Sequence, residues 1–239
     1  MKRVYFFVEA KWGVDNIRRQ RLKVCRFLDL NDPFELIAAD QRDKALRKKL
    51  KEWAKKINEG DGLLCFTESW QNPLMWSHYG DRHKGICLGF DVGEHILEPV
   101  NYERERLSLG RWSEAGIADL PADWRYALLT TKFERWAYEE ERRVILPLRA
   151  LLQEGPLFFK RFDDDLKLVE VIAGARCCVG WKRPIEDAVK GLPMKPKLVK
   201  ARLAFKQFKV VTQKVENSAR RGFVSETTWQ ECVCRELHS

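Results

Sequence analysis

The sequence predicts an α+β fold in which a twisted, mostly antiparallel and split sheet is flanked by short helices. Apolar residues make up 45% of the 239 residues, which is enough for a hydrophobic core and excludes a globally disordered chain. Short segments with strand-like alternation are mixed with short segments at helical spacing, without a regular β-α-β order. No repeat, low-complexity segment or flexible linker marks a boundary, so we expect a single domain over residues 1–239.

The clearest helix is predicted over residues 42–58, whereas residues 1–30 show little regular pattern. Leu46, Leu50 and Trp53 recur at helical spacing and form one apolar stripe. The other faces of this helix are rich in lysine. The pattern therefore predicts an amphipathic helix with a strongly basic exposed surface.

Shorter elements are predicted along the rest of the chain. Asn72 and Pro73 suit the N-cap and the first position of a helix. Pro121 suits the start of another helix for the same reason. Alternation or short apolar runs predict strands over residues 63–67, 85–91, 142–148, 167–173 and 199–211, and helical spacing predicts a short helix over residues 184–192.

The net charge of +9 is unevenly distributed. Residues 1–60 carry a net charge of +7, residues 195–239 carry +6, and the segment between them carries −4. Two basic ends around a mildly acidic middle suit a polyanionic partner whose chemistry takes place in the middle. An ordinary solvated surface explains the same distribution, so both interpretations stay open.

Composition and motifs exclude several classes of protein. No apolar run reaches the roughly 18–20 residues of a membrane span, and the N-terminal segment lacks the pattern of a signal peptide. Seven scattered cysteines without a framework spacing are typical of a reducing cytoplasm, where we expect the protein. Neither a phosphate-binding glycine loop nor paired metal ligands are found, so no metal is expected.

Four clusters of residues together carry a resemblance to a known family. They are Asn31-Asp32-Pro33-Phe34-Glu35, Cys65-Phe66-Thr67-Glu68 with Met75-Trp76-Ser77-His78-Tyr79, His83-Lys84-Gly85, and Trp136-Ala137-Tyr138-Glu139-Glu140-Glu141-Arg142-Arg143. In order and spacing they resemble a large bacterial and phage domain family of unknown function, over about residues 23–208. That family usually has Trp where this sequence has Arg142. More distantly, the arrangement resembles ADP-ribosyltransferases.

The second resemblance implies an NAD-dependent ADP-ribosyltransferase-like enzyme, acting as a toxin or phage-defence effector on nucleic acid. It implies that Glu141 is the catalytic carboxylate and that Glu139 assists it. NAD would be the co-substrate. The implied cofactor-binding residues are His78, Tyr79, His83 and Arg143.

The glutamates also have a physical interpretation of their own. If a strand begins near Glu139, then Glu139 and Glu141 share one face, about 7 Å apart. Two neighbouring carboxylates repel, and we expect burial to raise the pKa of at least one of them. A carboxylate so placed suits glycosidic chemistry, and Arg143 suits a pyrophosphate. The alternative is an exposed charge run that forms salt bridges with basic neighbours.

The residues around His78 also allow two interpretations. Tyr79 can stack on a nicotinamide or a base, and His78 can hydrogen-bond a ribose or phosphate. Alternatively, Met75 and Trp76 belong to the core and His78 is an ordinary polar residue. His83 precedes a lysine and a glycine, which suits close approach to phosphate and equally suits a plain turn.

Five further residues are predicted to contact substrate. Asn31 and Asp32 lie in a turn before Pro33, and the usual role of such residues is to bond the loop backbone. The others belong to the basic helix, within residues 42–57, which is predicted to bind RNA or DNA through phosphates: Lys48, Lys51 and Lys55. Two rival functions stay open: a non-catalytic nucleic-acid-binding module, and a metal-independent nuclease with His78 or His83 as general base.

Overall fold

The structure of the protein, a computed structural model, describes residues 1–108 and 122–213. These residues form thirteen strands and five α-helices. The strands are β1 (Lys2–Val8), β2 (Arg21–Arg26), β3 (Asp61–Thr67), β4 (Ile86–Val92), β5 (Glu98–Pro99), β6 (Asn101–Glu103), β7 (Thr131–Phe133), β8 (Glu141–Pro147), β9 (Leu152–Glu154), β10 (Leu157–Arg161), β11 (Leu166–Ala173), β12 (Lys197–Leu203) and β13 (Val210–Thr212). The helices are α1 (Ala10–Arg19), α2 (Lys44–Gly60), α3 (Pro73–His78), α4 (Ala122–Thr130) and α5 (Lys182–Val189).

The chain divides into two compact units, each made from separate segments. Unit 1 comprises Met1–Arg21, Thr67–Gly93 and Arg161–Ser239, and unit 2 comprises Leu22–Phe66 and Glu94–Lys160. None of the helices in the described ranges is long and apolar enough to cross a membrane.

Unit 1 is built on five strands in the order β13-β12-β11-β4-β1. Antiparallel pairing joins β1 to β4, β4 to β11 and β12 to β13, whereas β11 and β12 are parallel. Helices α1 and α5 pack against each other. Gly13 lets α1 approach β4, because a Cβ there would lie 2.2 Å from the Cδ1 atom of Ile86. Val4, Phe90 and Val171 are fully buried in this unit.

Unit 2 contains short paired strands and the long helix α2. Antiparallel pairing joins β2 to β3, β5 to β8 and β9 to β10, and the short strands β6 and β7 pair in parallel. Leu46, Leu50 and Trp53 of α2 pack with Leu36 and Ala39 in one hydrophobic cluster. The segment before α2 is therefore fixed to the inner face of that helix.

The predicted fold class is confirmed: the protein is α+β with mostly antiparallel sheets and short helices. Helix α2 begins and ends two residues later than predicted, because the Asp43 carboxylate caps it by accepting the Leu46 N–H at 2.6 Å. The single strand predicted over residues 199–211 is wrong, since two strands and a connecting loop occupy this region. Residues 1–30 form β1, α1 and β2, which the pattern did not indicate. Pro121 and the basic residues beyond 213 lie outside the described residues.

Candidate functional site: a buried charge cluster and a neighbouring basic helix

The predicted catalytic glutamates lie where a 3₁₀ helix, Glu134–Glu139, meets β8. Glu140 connects the two elements in the left-handed region, with φ of 45°. Strand alternation then places Glu141 and Arg143 on the same buried face of β8. Glu139, Glu141 and Arg143 are all buried. Strand alternation relates Glu141 to Arg143 alone, because Glu139 belongs to the 3₁₀ helix, so the prediction that Glu139 shares a strand face with Glu141 is wrong.

Arg143 is the centre of this arrangement and is 0% exposed. Its Nη1 and Nη2 atoms donate to Oε2 and Oε1 of Glu35 at 2.9 and 2.6 Å. Its Nε atom donates to Oε1 of Glu141 at 2.8 Å, and Nη1 also donates to the Leu129 carbonyl at 2.7 Å. The guanidinium therefore bridges two carboxylates that enter from distant parts of the sequence.

Lys132, in the middle of β7, provides the second cation. Its Nζ atom lies 2.6 Å from Oε2 of Glu139 and 3.0 Å from Oε2 of Glu141. The same ammonium lies 4.9 Å from the centre of the Trp136 ring. We call these five buried residues the charge cluster: Glu35, Lys132, Glu139, Glu141 and Arg143.

The charge cluster contains three carboxylates and two cations. Burial opposes ionisation of Glu141, but Arg143 and Lys132 outweigh it and lower the pKa of Glu141 to about 2. For Glu35, burial outweighs the attraction of Arg143 and raises the pKa. Burial also opposes the charged forms of Lys132 and Arg143, yet the carboxylates raise the pKa of both.

Glu141 is therefore not a carboxylate whose pKa is raised. The prediction counted repulsion and burial, and it omitted the two cations. Tyr102 adds a further contact, because its hydroxyl oxygen accepts the backbone N–H of Glu141 at 2.8 Å. Burial raises the pKa of Tyr102 to about 12, which keeps its phenol neutral.

A pocket of about 260 Å³ borders the charge cluster at Lys132. Phe34 and Phe133 line it and are 48% and 43% exposed. Arg106 lies over the Phe34 ring at 5.1 Å and donates to the carbonyls of Ile37 and Ala39. The remaining residues that line the pocket are Ile37, Ala38, Glu103, Arg104, Glu105 and Thr131.

The predicted turn at residues 31–35 connects this pocket with the charge cluster. The Asp32 carboxylate accepts the backbone N–H of Phe34 at 2.9 Å, as expected for a residue before a turn proline. Phe34 then faces the pocket, whereas Glu35 is buried against Arg143. Asp32 is itself buried, and Asn31 is exposed.

Helix α2 presents a row of exposed lysines on the side opposite its buried residues. We call this row the lysine stripe: Lys44, Lys48, Lys51 and Lys55. Their spacing of four, three and four residues places them on one helical face. Leu46, Leu50 and Trp53 lie on the other side. Three of the predicted substrate contacts thus share one accessible surface.

Hydrogen bonds connect the first turn of α2 with the wall of the pocket. Nε2 of Gln41 donates to the Ile37 carbonyl at 3.4 Å. Nη1 of Arg47 donates in turn to the Gln41 carbonyl at 2.5 Å. The lysine stripe and the pocket therefore belong to one connected part of unit 2.

The other predicted cofactor residues belong to unit 1. In α3, Met75 and Trp76 are buried, so the interpretation of these two as core residues is right. The Trp76 indole Nε1–H donates to the Trp70 carbonyl at 2.6 Å. His78 is exposed and Tyr79 is half-buried, with their rings 6.2 Å apart. Roles for these two in NAD binding stay predictions.

His83 ends a turn with unusual backbone geometry. Asp81, Arg82 and His83 all lie in the left-handed region, with φ of 46°, 52° and 71°. The His83 N–H donates to the Trp76 carbonyl at 3.1 Å, and the His83 carbonyl accepts the Arg176 N–H at 2.9 Å. Gly174 packs directly on this carbonyl, since a Cβ on Gly174 would lie 2.2 Å from its oxygen.

The His83 side chain is held close to the turn. Its Nε2 atom lies 3.3 Å from the Ser77 hydroxyl, and its buried Nδ1 atom has no hydrogen-bond partner among the described residues. Burial lowers the pKa of His83, and Arg176 lowers it further. The imidazole is therefore neutral near pH 7, which suits the general base of the rival nuclease hypothesis.

Sequence reasoning found Glu139, Glu141 and Arg143 but missed two members of the charge cluster. Glu35 was noticed as part of the turn, and nothing in the sequence pointed to its partner 108 residues away. Lys132 stands alone in a short strand and has no signature. No group of three or more His, Cys, Asp and Glu side chains suited to a metal is found within residues 1–108 and 122–213.

Comparison with known proteins gives one partial match. The family model described as "Protein of unknown function (DUF2971)" matches residues 75–103. This segment runs from α3 through the His83 turn and β4 to β6, and it contains His78, Tyr79 and His83. The match agrees with the resemblance to an uncharacterised family. No curated protein and no solved structure matches the chain.

Proposed function

We propose that the protein binds nucleic acid, with the lysine stripe of α2 contacting the phosphate backbone. The observation that carries the proposal is the alignment of four exposed lysines on one helical face. At about 1.5 Å per residue the lysine stripe runs along roughly 16 Å of the helix, which is long enough to face several phosphates, since these repeat about every 3.4 Å along each strand of a duplex. Contacts of this kind position a nucleic acid without reading its sequence.

The charges of the lysine stripe are largely available to a partner. Within the described residues, Lys55 forms an ion pair with Glu59 at 3.8 Å, and both side chains are exposed to solvent. Exposed pairs of this kind contribute little and exchange readily with other anions. The basic N-terminal segment therefore concentrates its positive charge where a polyanion can reach it.

The test measures how binding depends on salt. Fluorescence anisotropy with labelled RNA and DNA, as single strands and as duplexes, compares the wild type with Lys48→Glu/Lys51→Glu. Each lost phosphate contact lowers the slope of log K against log[salt] by about 0.7 for single strands. We expect a decrease of at least about 1.4 for the double variant, because each reversal also adds repulsion.

A matched control carries the same charge change elsewhere. Lys182→Glu/Lys190→Glu makes the same charge change in unit 1, at the first residue of α5 and at the residue that follows this helix. This control should bind almost as the wild type does. Equal losses in the two variants mean that net charge alone drives binding, and unchanged binding in both overturns the proposal.

ADP-ribosyl transfer is a second candidate, favoured by one observation. Glu139 and Glu141 share the Lys132 ammonium, and Lys132 borders the pocket. However, the pocket volume of about 260 Å³ is smaller than the roughly 300–1,000 Å³ that accommodates small ligands. The Glu141 carboxylate is also buried and engaged by two cations. These residues do not fit NAD in this arrangement, and we infer no transfer step.

The transferase hypothesis still has a direct test. Purified protein is incubated with labelled NAD and either RNA, DNA or cell extract, beside Glu141→Gln and the exposed control Glu140→Gln. Label transfer that only Glu141→Gln abolishes, with the variant still folded, supports this candidate. Absence of NAD turnover by the folded wild type removes it and leaves the nucleic-acid proposal untouched.

A further inference from the structure

The loop between β12 and β13 exposes two phenylalanines to solvent. Phe205 is 91% exposed and Phe208 is fully exposed. The loop is closed by a hydrogen bond from the Ala204 N–H to the Lys209 carbonyl, at 2.9 Å. A single exposed apolar side chain is ordinary, but exposed apolar surface that is concentrated in one place commonly marks a binding surface.

Cations surround these two aromatic rings. We call residues 202–209 the hairpin tip, which contains Arg202, Lys206 and Lys209. Residues 188–213 contain no Asp or Glu. The Arg202 guanidinium lies 4.5 Å from the centre of the Phe205 ring, and its Nη1 atom donates to the Leu203 carbonyl at 3.0 Å. This contact holds Arg202 against one face of the ring.

We infer that the hairpin tip binds unpaired bases of a single-stranded nucleic acid. Exposed aromatic rings stack on bases, and interleaved cations neutralise the adjacent phosphates. Bases within a duplex are already stacked on their neighbours and offer no free face. The inference rests on the proposed function and adds to it a preference for single strands and a contact in unit 1.

The order of residues in the hairpin tip distinguishes this partner from a lipid surface. Lys206 and Gln207 lie between the two phenylalanines, at the middle of the loop. Insertion into a bilayer would carry their charge and amide towards the apolar region, which is costly. In a nucleic acid complex the same two groups remain beside phosphates and water.

The test replaces aromatic rings by aliphatic side chains. Phe205→Leu/Phe208→Leu keeps apolar surface but removes the flat rings, and Phe205→Trp/Phe208→Trp restores stacking. Anisotropy is measured with one sequence as a single strand and as a duplex. We expect the leucine variant to lose roughly tenfold or more in single-strand affinity, with duplex affinity unchanged and the tryptophan variant restored.

Two results overturn the inference. One is single-strand affinity that is unchanged in the leucine variant or falls equally for the duplex. The other is a leucine variant that still binds phosphatidylserine vesicles and has unchanged single-strand affinity. That combination identifies the partner as lipid.

Failure of the proposed function gives a different pattern. If Lys48→Glu/Lys51→Glu binds normally while the leucine variant loses single-strand affinity, the lysine stripe is wrong and the hairpin tip stands. If the lysine variant loses binding while the leucine variant does not, the hairpin tip is wrong and the lysine stripe stands.

Discussion

The charge cluster and the lysine stripe use the same residue types in opposite ways. In the charge cluster, three carboxylates and two cations are buried and contact one another directly. In the lysine stripe, four cations are exposed. Within the described residues, Lys55 forms an ion pair with Glu59 at the long distance of 3.8 Å. Buried charges that compensate one another are required by the fold, because loss of one partner leaves the other buried and unpaired, whereas charge left uncompensated at the surface is available to a partner. The predictions below test this distinction.

The largest effect is expected from removal of the central cation. Arg143→Met leaves Glu35 and Glu141 buried without the guanidinium that contacts both, and breaking a buried pair in this way costs about 3–5 kcal/mol. The free energy of unfolding is measured by urea titration. The neighbouring Arg142→Met, which changes a half-buried arginine, is the control and should cost much less. Similar losses in the two variants contradict the assigned role of Arg143.

Acid should remove part of this stabilisation. The pKa of Glu141 falls from its ordinary value of 4.5 to about 2 in the folded protein. The corresponding stabilisation, roughly 3 kcal/mol, is complete above pH 4.5 and is lost as the pH falls towards 2. Glu35 acts in the opposite sense, because its pKa is raised and its protonation relieves an unfavourable charge.

Unfolding free energies between pH 2 and pH 6 measure this dependence. Glu141→Gln has no carboxylate to titrate, so its stability should change less with pH than that of the wild type. If the stability of Glu141→Gln falls with acid as steeply as that of the wild type, other carboxylates are responsible for the acid dependence.

A smaller effect is expected at Tyr102. Tyr102→Phe removes the acceptor for the Glu141 N–H and costs about 1–2 kcal/mol. Tyr126→Phe is the control. It removes a hydroxyl that donates to Glu98 at an exposed site, so the loss of stability should be smaller. Thermal unfolding of the two variants gives the comparison. A greater loss at Tyr126 argues against the role of the Tyr102 hydroxyl.

The smallest effect on stability is expected in the lysine stripe. Lys48→Ala/Lys51→Ala should change the free energy of unfolding by no more than about 0.5 kcal/mol, because both side chains are exposed. Nucleic-acid affinity should fall in the same protein. Substantial destabilisation would show that these lysines belong to the fold, which removes the contrast with the charge cluster.

Local signals explain which elements the sequence predicted. Asn72 before Pro73 is a cap whose partner, the Leu74 N–H, lies two residues on, so the pattern contains the whole interaction. The cap at Asp43 is equally local, but the prediction missed it and started α2 two residues early. The hairpin tip misled the prediction, because Phe205 and Phe208 favour strands and the loop contains no glycine or proline.

Long-range pairing explains what the sequence did not predict. The alternation along β8 placed Glu141 and Arg143 on one face, but the partner of Arg143 lies 108 residues earlier. The pKa of Glu141 depends on Lys132, which comes from another strand, so its direction required the fold.

The His83 turn has a consequence for the order of events during synthesis. Local hydrogen bonds form this turn, and its His83 carbonyl also contacts Gly174 and the Arg176 N–H, which are synthesised about 90 residues after His83. At the usual translation rate of 5–20 residues per second, that delay is roughly 5–20 seconds. The turn therefore completes late, and a nascent chain that ends before residue 174 should leave it accessible to protease.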